Sequence, residues 1–301
     1  MKTGKLKTIV AVTSLASVTL LAFSLFTSAD PAPTEADQKP NPEIEEIRAG
    51  KNFILTKLYS TKEDQKILKL FEGLRVADVT DGMDKAGLFN IGLMSPEIHP
   101  AWKDTEHYRH RFVGIALTVR YVPTNKPHAP KGPAPNMETK AFDSWVGNWY
   151  NKLSSEPFVP LIRKGTALVL DDAPNADVGS IGSNNIMGWK SAGCVGVVTN
   201  ATARDTDEIA TEKVPLYFRK VGRGIRPGRN EIESVNRPVV CGGVLVEPGD
   251  IIVADGDGVI VVPRAYAEEV AEYARATIEA DKRGRLEMYK KLGLPLDDSV
   301  R

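Results

Sequence analysis

Two short, largely apolar segments, residues 166–171 and 194–199, flank a stretch of helical character at about 184–191. Runs of this length and composition are typical of strands buried on both faces, and a helix that crosses between two strands makes them parallel. This strand–helix–strand unit restricts the chain to an α/β fold built around a pair of buried parallel strands.

The flanking sequence extends this unit on both sides. Residues 112–122 predict a further strand, and strand runs after residue 237 that are separated by short turns predict antiparallel hairpins on the same body. Helical spacing of apolar residues predicts helices at 43–75, 76–87 and 138–153, and a long helix closes the chain at 264–291. We therefore expect one mixed α/β domain with a helical N-terminal extension and a long C-terminal helix.

The amino terminus has the pattern of an export signal. Lys2, Lys5 and Lys7 precede an uncharged stretch at 8–26, and small residues follow up to Ala29. This order of basic, apolar and small residues predicts a secretory signal peptide that is cleaved near Ala29, and hence an exported, periplasmic protein. The alternative is an uncleaved membrane anchor, because 19 residues also suffice to span a bilayer.

These patterns divide the chain into four parts. Residues 1–29 form the signal peptide, and residues 30–42, rich in proline and acidic residues, form a linker. Residues 43–64 form the helical extension, and residues 65–301 form the α/β domain.

The balance of charge argues against a nucleic-acid partner. The chain has 39 basic and 39 acidic residues, and removal of the three signal-peptide lysines leaves 36 basic against 39 acidic groups. A mildly acidic body without a basic stripe does not favour contacts with phosphate backbones.

Cys194 and Cys241 lie in apolar strand-like runs, so we expect two buried thiols, with a disulfide as the alternative in an oxidising compartment.

Two polar loops follow the two predicted parallel strands. The first contains Gly182, Ser183, Asn184 and Asn185 at the start of a helix, and its N–H groups are expected to be free to hold an anion. The second, at 200–209, contains Arg204 and Asp205. Loops at the carboxyl ends of parallel strands lie close together, so we expect these groups to form one site.

Arg204 and Asp205 are the charged pair of the second loop. Arginine suits a carboxylate or an enolate oxygen, and aspartate suits a hard divalent cation. Such a combination fits a small 2-oxo acid. The alternative for each feature alone is a helix cap and a surface ion pair.

The same segments carry a resemblance to a known family. Residues 182–185 and 193–209, together with the ProGlyAsp-containing stretch 239–263 and the upstream segment 76–83, resemble the regulator of ribonuclease activity A-like (RraA-like) family. That family includes the 4-hydroxy-4-methyl-2-oxoglutarate and 4-carboxy-4-hydroxy-2-oxoadipate aldolases. The resemblance covers about residues 65–285 and implies an α/β/α sandwich that assembles as a homotrimer or hexamer, with the site at subunit contacts.

The resemblance also implies roles for individual residues. The backbone of 182–185 and the side chain of Arg204 would bind the pyruvate portion of the substrate, and Asp205 would anchor Mg²⁺ or Mn²⁺, largely through waters. The aldolases usually carry an acidic residue where this chain has Ser183, so a carboxylate that orients a metal-bound water is expected to be missing. Asp172, with its neighbour Asp171, is a candidate to compensate.

Glu279 and the segment 222–229 are further candidate contacts. Glu279 is the candidate counterpart of a glutamate that the family takes from a neighbouring subunit's C-terminal helix. The glycine- and arginine-rich segment 222–229 is expected to contact an acidic substrate tail or a neighbouring subunit. His107 and His110 have a spacing that metal sites use, but without a third partner they do not predict zinc.

The function expected from these residues and from the resemblance is that of a divalent-metal-dependent lyase. It would cleave a carbon–carbon bond of a 2-oxo acid, as an aldolase or an oxaloacetate decarboxylase, and release pyruvate through a metal-stabilised enolate. Two alternatives stay open at this point. One is a non-catalytic, protein-binding regulator, and the other is a lyase that acts on a sugar-derived acid.

Overall fold

The computed structural model of the protein describes residues 41–126, 139–172 and 177–300. The chain divides into two compact units, residues 1–53 and residues 54–301. The first unit contributes one described helix, α1 (Pro42–Arg48), whose N-cap Asn41 accepts a hydrogen bond from the N–H of Glu43. The predicted signal peptide and most of the predicted linker lie outside the described residues. No helix within the described ranges is long and apolar enough to cross a membrane.

The second unit alternates helices and strands. Its helices are α2 (Thr61–Phe71), α3 (Val76–Lys85), α4 (Thr139–Lys152), α5 (Ser183–Ser191), α6 (Thr206–Glu212) and α7 (Ala267–Leu292). Its strands are β1 (His99–Pro100), β2 (Phe112–Pro123), β3 (Thr166–Asp171), β4 (Cys194–Thr199), β5 (Thr202–Ala203), β6 (Leu216–Phe218), β7 (Lys220–Val221), β8 (Asn230–Val235), β9 (Val239–Cys241), β10 (Val244–Val246), β11 (Ile251–Asp255) and β12 (Gly258–Val262).

The central sheet is mixed, as predicted. Its strands follow the order β1, β6, β4, β3, β2, β11, β12, and β8 pairs with the far end of β2. Strands β2, β3, β4 and β6 are parallel, while β11 runs antiparallel to both β2 and β12. The parallel pair expected at 166–171 and 194–199 is confirmed, with Leu168 opposite Val197.

Successive side chains along the strands point to opposite faces of the sheet, and an apolar layer lies on each face. One face carries Ile115, Leu117, Leu168 and Val197, and it packs against α2, α3 and α7 at one end and against α5 and α6 at the other. The opposite face carries Ala116, Ala167 and Val169. In the described residues this second face is covered by the antiparallel β9–β10 hairpin and by the segment 94–98. The α/β class and the long C-terminal helix are thus confirmed.

The helix predicted over residues 43–75 is interrupted. Residues 49–60 are not helical, and α2 begins where Ser60 and Glu63 form a reciprocal capping box. This box satisfies two backbone N–H groups that would otherwise lack a partner at a helix start. Helix α2 then runs through residue 64, where the extension is expected to end, and Phe71 near its end is fully buried.

Both cysteines are confirmed as buried thiols. Cys194 and Cys241 are free, and their side chains pack on opposite faces of the sheet body. Burial raises the pKa of the Cys194 thiol to about 11 and raises that of Cys241 as well. Neither thiol is therefore ionised at neutral pH.

Candidate functional site

The two predicted loops meet at the carboxyl end of the parallel strands. A parallel bridge joins Ile181 to Ala203, and the N–H of Arg204 donates to the carbonyl of Ile181 at 2.8 Å. Gly182 is the N-cap of α5, with an extended backbone. The structure therefore places Gly182, Ser183, Asn185, Arg204 and Asp205 beside one another, as the sequence predicts.

One amide of the expected anion site is already occupied. The N–H of Ser183 donates to Oδ2 of Asp205 at 3.1 Å, so the expectation that it is free is wrong. Asp205 has a left-handed backbone, φ 54°, and precedes α6 without capping it through its side chain. Its carboxylate instead supplies negative charge to the start of α5, which has no acidic residue in its first turn. Within the described chain, no hydrogen bond occupies the N–H groups of Asn184 and Asn185.

Glycines allow the arginine and the aspartate to approach the loop. A Cβ at Gly179 would lie 2.6 Å from Cβ of Arg204, and a Cβ at Gly182 would lie 2.8 Å from Oδ2 of Asp205. The stem of Arg204 thus lies directly on the backbone of Gly179. Nε of Arg204 lies 3.8 Å from Oδ2 of Asp205, and both side chains are 37% exposed. The guanidinium remains accessible to an anionic ligand.

Glu156 fixes the orientation of Asn185, a role that the sequence does not reveal. Its Oε1 accepts a hydrogen bond from Nδ2 of Asn185 at 2.8 Å, and its Oε2 accepts one from Nε1 of Trp189 at 2.9 Å. Because the amide nitrogen faces Glu156, the amide oxygen faces the loop, 3.5 Å from where a Cβ of Gly182 would lie. The oxygens of Asn185 and Asp205 therefore border the same space.

Arg226 supports Glu156 from beneath, so this arginine of segment 222–229 is not available to a substrate tail or a neighbouring subunit. The side chain of Arg226 is 2% exposed, and it donates to Oε1 of Glu156 at 2.7 Å and to the carbonyl of Ser180 at 2.9 Å. The other arginines of the segment also have partners within the chain. Arg223 pairs with Asp177, and Arg229 donates to the carbonyl of Ile225. The sequence of a glycine-rich loop does not indicate which of its arginines is buried and which is exposed.

Asp172 lies below the loop. Its carboxylate accepts hydrogen bonds from Nδ2 of Asn230, at 2.9 and 3.0 Å, and from the hydroxyl of Ser180, and its residue is 2% exposed. It therefore holds the loop that leads to Gly182 and does not border the space around Asp205. Burial raises the pKa of its neighbour Asp171, although Asn200 donates to that carboxylate at 2.7 Å.

Glu279 lies elsewhere in the protomer. It is an exposed residue of α7, and α7 packs mainly against α3. The role expected for Glu279, in the site of a neighbouring subunit, stays a prediction.

The side-chain oxygen atoms at the site suit a hard cation that is held by few protein ligands. No group of three or more His, Cys, Asp or Glu side chains within the described ranges could hold a metal. Asp205 offers one carboxylate, and the amide oxygen of Asn185 faces the same space. Magnesium is commonly bound by one or two carboxylates and keeps several waters, so this oxygen set suits Mg²⁺ or Mn²⁺ and does not suit a soft metal.

Comparison with known proteins identifies the family of the chain. A sequence profile of the RraA-like family, described as Aldolase/RraA, matches residues 76–261. A protein of Halalkalibacterium halodurans, provisionally named a 4-hydroxy-4-methyl-2-oxoglutarate aldolase, is 32% identical over 120 residues. That match covers 39% of this chain and 56% of the relative, so it spans little more than half of the relative's length.

Solved structures share the fold. An uncharacterized protein from Pseudomonas syringae pv. tomato is 25% identical and has a TM-score of 0.56, with 79% of this chain and 98% of that chain covered. RraAS2 of Streptomyces coelicolor, described as an unusual member of the RNase ES inhibitor RraA protein family, is 21% identical with a TM-score of 0.55 over 74% of this chain and 96% of that chain. The family profile covers more than half of the sequence and includes the whole loop cluster around Arg204, and the chain therefore belongs to the RraA-like family.

Proposed function

We propose that this protein is a carbon–carbon lyase that acts on a 2-oxo acid and releases pyruvate. The observation that carries the proposal is the convergence of three elements: the start of α5 at Gly182, the accessible guanidinium of Arg204, and the carboxylate of Asp205. The aldolase names among the relatives support the same reaction class.

Arg204 and the start of α5 would bind the acid. The N–H groups of Asn184 and Asn185 point toward the amino end of a helix, where a carboxylate is stabilised. The guanidinium of Arg204 would bind the 2-oxo oxygen and stabilise the negative charge that develops there as the carbon–carbon bond breaks. An oxygen that carries this charge is bound more tightly than the neutral carbonyl, which lowers the barrier.

Asp205 would hold a divalent cation, Mg²⁺ or Mn²⁺, with the amide oxygen of Asn185 facing the same space. When bound, such a cation supplies Lewis-acid polarisation of the 2-oxo acid and lowers the pKa of a bound water. The hydrogen bond from Ser183 holds the carboxylate of Asp205 at the loop while one of its oxygens stays open.

The assembly and the location of the enzyme belong to the same proposal. We expect a homotrimer or hexamer with the site at a subunit contact, where Glu279 of a neighbouring protomer would approach. We further expect an exported, periplasmic protein, because the signal pattern precedes the described residues.

The test is the release of pyruvate from 4-hydroxy-4-methyl-2-oxoglutarate, 4-carboxy-4-hydroxy-2-oxoadipate and oxaloacetate, with and without Mg²⁺. Arg204→Ala should lower kcat/KM by about 10²-fold or more, and Arg204→Lys should restore part of it. Lys62→Ala, at an exposed position of α2, is the control and should leave the rate unchanged. Equal rates for Arg204→Ala and the unaltered protein would contradict the assignment of the site.

The alternatives have separate outcomes in the same experiments. A sugar-derived substrate predicts turnover of such acids with the same loss in Arg204→Ala. A protein-binding regulator predicts no turnover and no Mg²⁺-dependent thermal stabilisation by pyruvate or oxalate.

A further inference from the structure

A second cavity lies at the opposite end of the parallel strands. Its volume is about 430 Å³, and it is bordered by the start of β2 at Arg111, the end of β11 at Asp255 and the middle of α7 at Arg285. The loops around Arg204 follow the carboxyl ends of β3 and β4, whereas this cavity lies beside the amino end of β2, which is parallel to β3. The two places are therefore separated by the length of the sheet.

A buried imidazole borders this cavity. His110 is 6% exposed, and its Nδ1 accepts a hydrogen bond from the N–H of Asp104 at 2.9 Å. Because Nδ1 is an acceptor, the ring proton of the neutral imidazole is on Nε2. Nε2 has no hydrogen-bond partner in the described structure and lies at the cavity wall beside Gly256. Burial lowers the pKa of His110, which keeps the imidazole neutral and Nε2 a donor.

The segment that carries His110 is fixed in place. The carboxylate of Asp104 accepts hydrogen bonds from the N–H groups of Glu106 and His107 and pairs with Arg109 at 2.7 Å. This loop geometry holds the imidazole against the cavity without help from a ligand.

The charged side chains that line the cavity are five cations, on Arg75, Lys103, Arg111, Lys282 and Arg285, and four carboxylates, on Asp255, Asp257, Asp281 and Asp298. Lys103, Arg111 and Arg285 have no ion pair within the described ranges, and Arg111 lies over the ring of Tyr108 at 5.2 Å. Three of the four carboxylates have partners, which for Asp255 are backbone N–H groups. The carboxylate of Asp255 accepts hydrogen bonds from the N–H groups of Val76 and Asp257. The carboxylate of Asp281 pairs with the guanidinium of Arg75, and Asp298 also makes an interaction.

We infer that this cavity binds a small organic anion through a carboxylate or phosphate group. The anionic oxygens would accept a hydrogen bond from Nε2 of His110 and pair with the cations of Arg111 and Arg285. Hydrogen bonds between ionised and polar groups in a half-enclosed site are stronger than in water. The ring of Tyr108 and the side chain of Ile278 offer apolar contact to the carbon skeleton of the ligand. This site is independent of the proposed lyase activity.

The test is titration calorimetry with inorganic phosphate and, separately, with oxalate, on the full protein that carries Arg204→Ala. That background weakens the first anion site, so the remaining saturable binding reports the cavity. We expect saturable binding of at least one probe, and the tighter of the two identifies the preferred anionic group. In the same background, Arg111→Gln combined with Arg285→Gln should weaken binding at least tenfold.

Arg283→Gln is the control for Arg285→Gln, since it removes one positive charge from the same helix two residues away and does not border the cavity. It should change the dissociation constant by less than twofold. His110→Phe removes the Nε2 donor and should also weaken binding; if it fails to fold, the exposed arginine variants decide the question. Absence of saturable binding of both probes, or equal weakening by Arg283→Gln, would overturn the inference.

Discussion

The backbone N–H of Ser183 donates a hydrogen bond to Oδ2 of Asp205 at 3.1 Å and so joins the starts of two helices that follow neighbouring parallel strands. The carboxylate of Asp205 takes the place of water as the acceptor for one amide at the start of α5. Its negative charge also offsets the positive end of the α5 dipole. The same contact fixes the direction of the carboxylate. Changes on either side of this bond should therefore affect the site before they affect the fold.

Gly182→Ala tests the close approach of Asp205. An added Cβ would lie 2.8 Å from Oδ2, so the carboxylate has to move and its bond to Ser183 is lost. We expect a loss of about 1–2 kcal/mol in the free energy of unfolding and at least a tenfold loss in pyruvate release. Urea titration and the lyase assay measure the two effects. Gly188→Ala, in the same helix with open space around it, is the control and should keep full activity.

Glu156→Gln tests the support beneath the site. Glu156 accepts a charge-assisted hydrogen bond from the buried Arg226, and glutamine keeps the shape but removes the charge. The free energy of unfolding should fall by about 1–3 kcal/mol. The orientation of the Asn185 amide should also be released, which predicts a weaker apparent affinity for Mg²⁺ in the lyase assay. Glu272→Gln, at an exposed position of α7 beyond its first turn, should change neither quantity.

Asp250 predicts a dependence of stability on pH. Burial raises the pKa of its carboxyl to about 6, although the N–H groups of Glu247 and Arg264 donate to it. The folded protein therefore holds this proton more tightly than the unfolded chain does. Its contribution to the free energy of unfolding is present below about pH 4 and is lost as the pH rises toward 6, by up to about 1.4 kcal/mol per pH unit.

Asp250→Asn should remove this component of the pH profile. Urea titrations between pH 4 and 7 would show a difference in the free energy of unfolding between variant and unaltered protein that changes from about pH 4 to 6 and is constant above about pH 6. Thr211→Ala, which changes no titratable group at an exposed position, is the control and should give a constant difference throughout. A constant difference for Asp250→Asn would contradict the raised pKa.

The two cysteines predict a simple chemical outcome. Because Cys194 and Cys241 are buried and free, the native protein should react slowly with a thiol reagent and should yield two thiols per chain once it is unfolded. A disulfide, the alternative that the sequence leaves open, would give no thiols on unfolding without a reductant.

The signal pattern predicts processing near Ala29. Protein recovered from the periplasm of an expressing bacterium should begin at about Asp30, which intact mass and N-terminal sequencing measure. Ala29→Leu replaces the small residue before the cleavage point and should leave the precursor in the membrane fraction. Full-length protein from the unaltered sequence in that fraction would favour the anchor.

Much of the fold follows from local patterns in the sequence. The runs at 166–171 and 194–199 coincide with β3 and β4, and the helices predicted at 76–87 and 138–153 occur with small shifts at their ends. The short strand β8 was not predicted, because its alternating polar residues resemble a loop until β2 pairs with it. The helix predicted over 43–75 fails between residues 49 and 60, where helical spacing is not accompanied by caps or burial.

The sequence by itself determined the α/β class, the parallel pair and the residues of the two loops, because apolar periodicity and turn residues act over short distances along the chain. Only the tertiary structure decided what those residues contact. In the folded protein the amide of Ser183 donates to Asp205. Arg226 is buried against Glu156, 70 residues away in the chain, and these two side chains hold the loop beneath the site. Such contacts depend on how distant segments pack, so a charge pattern cannot distinguish a buried support from an exposed ligand contact.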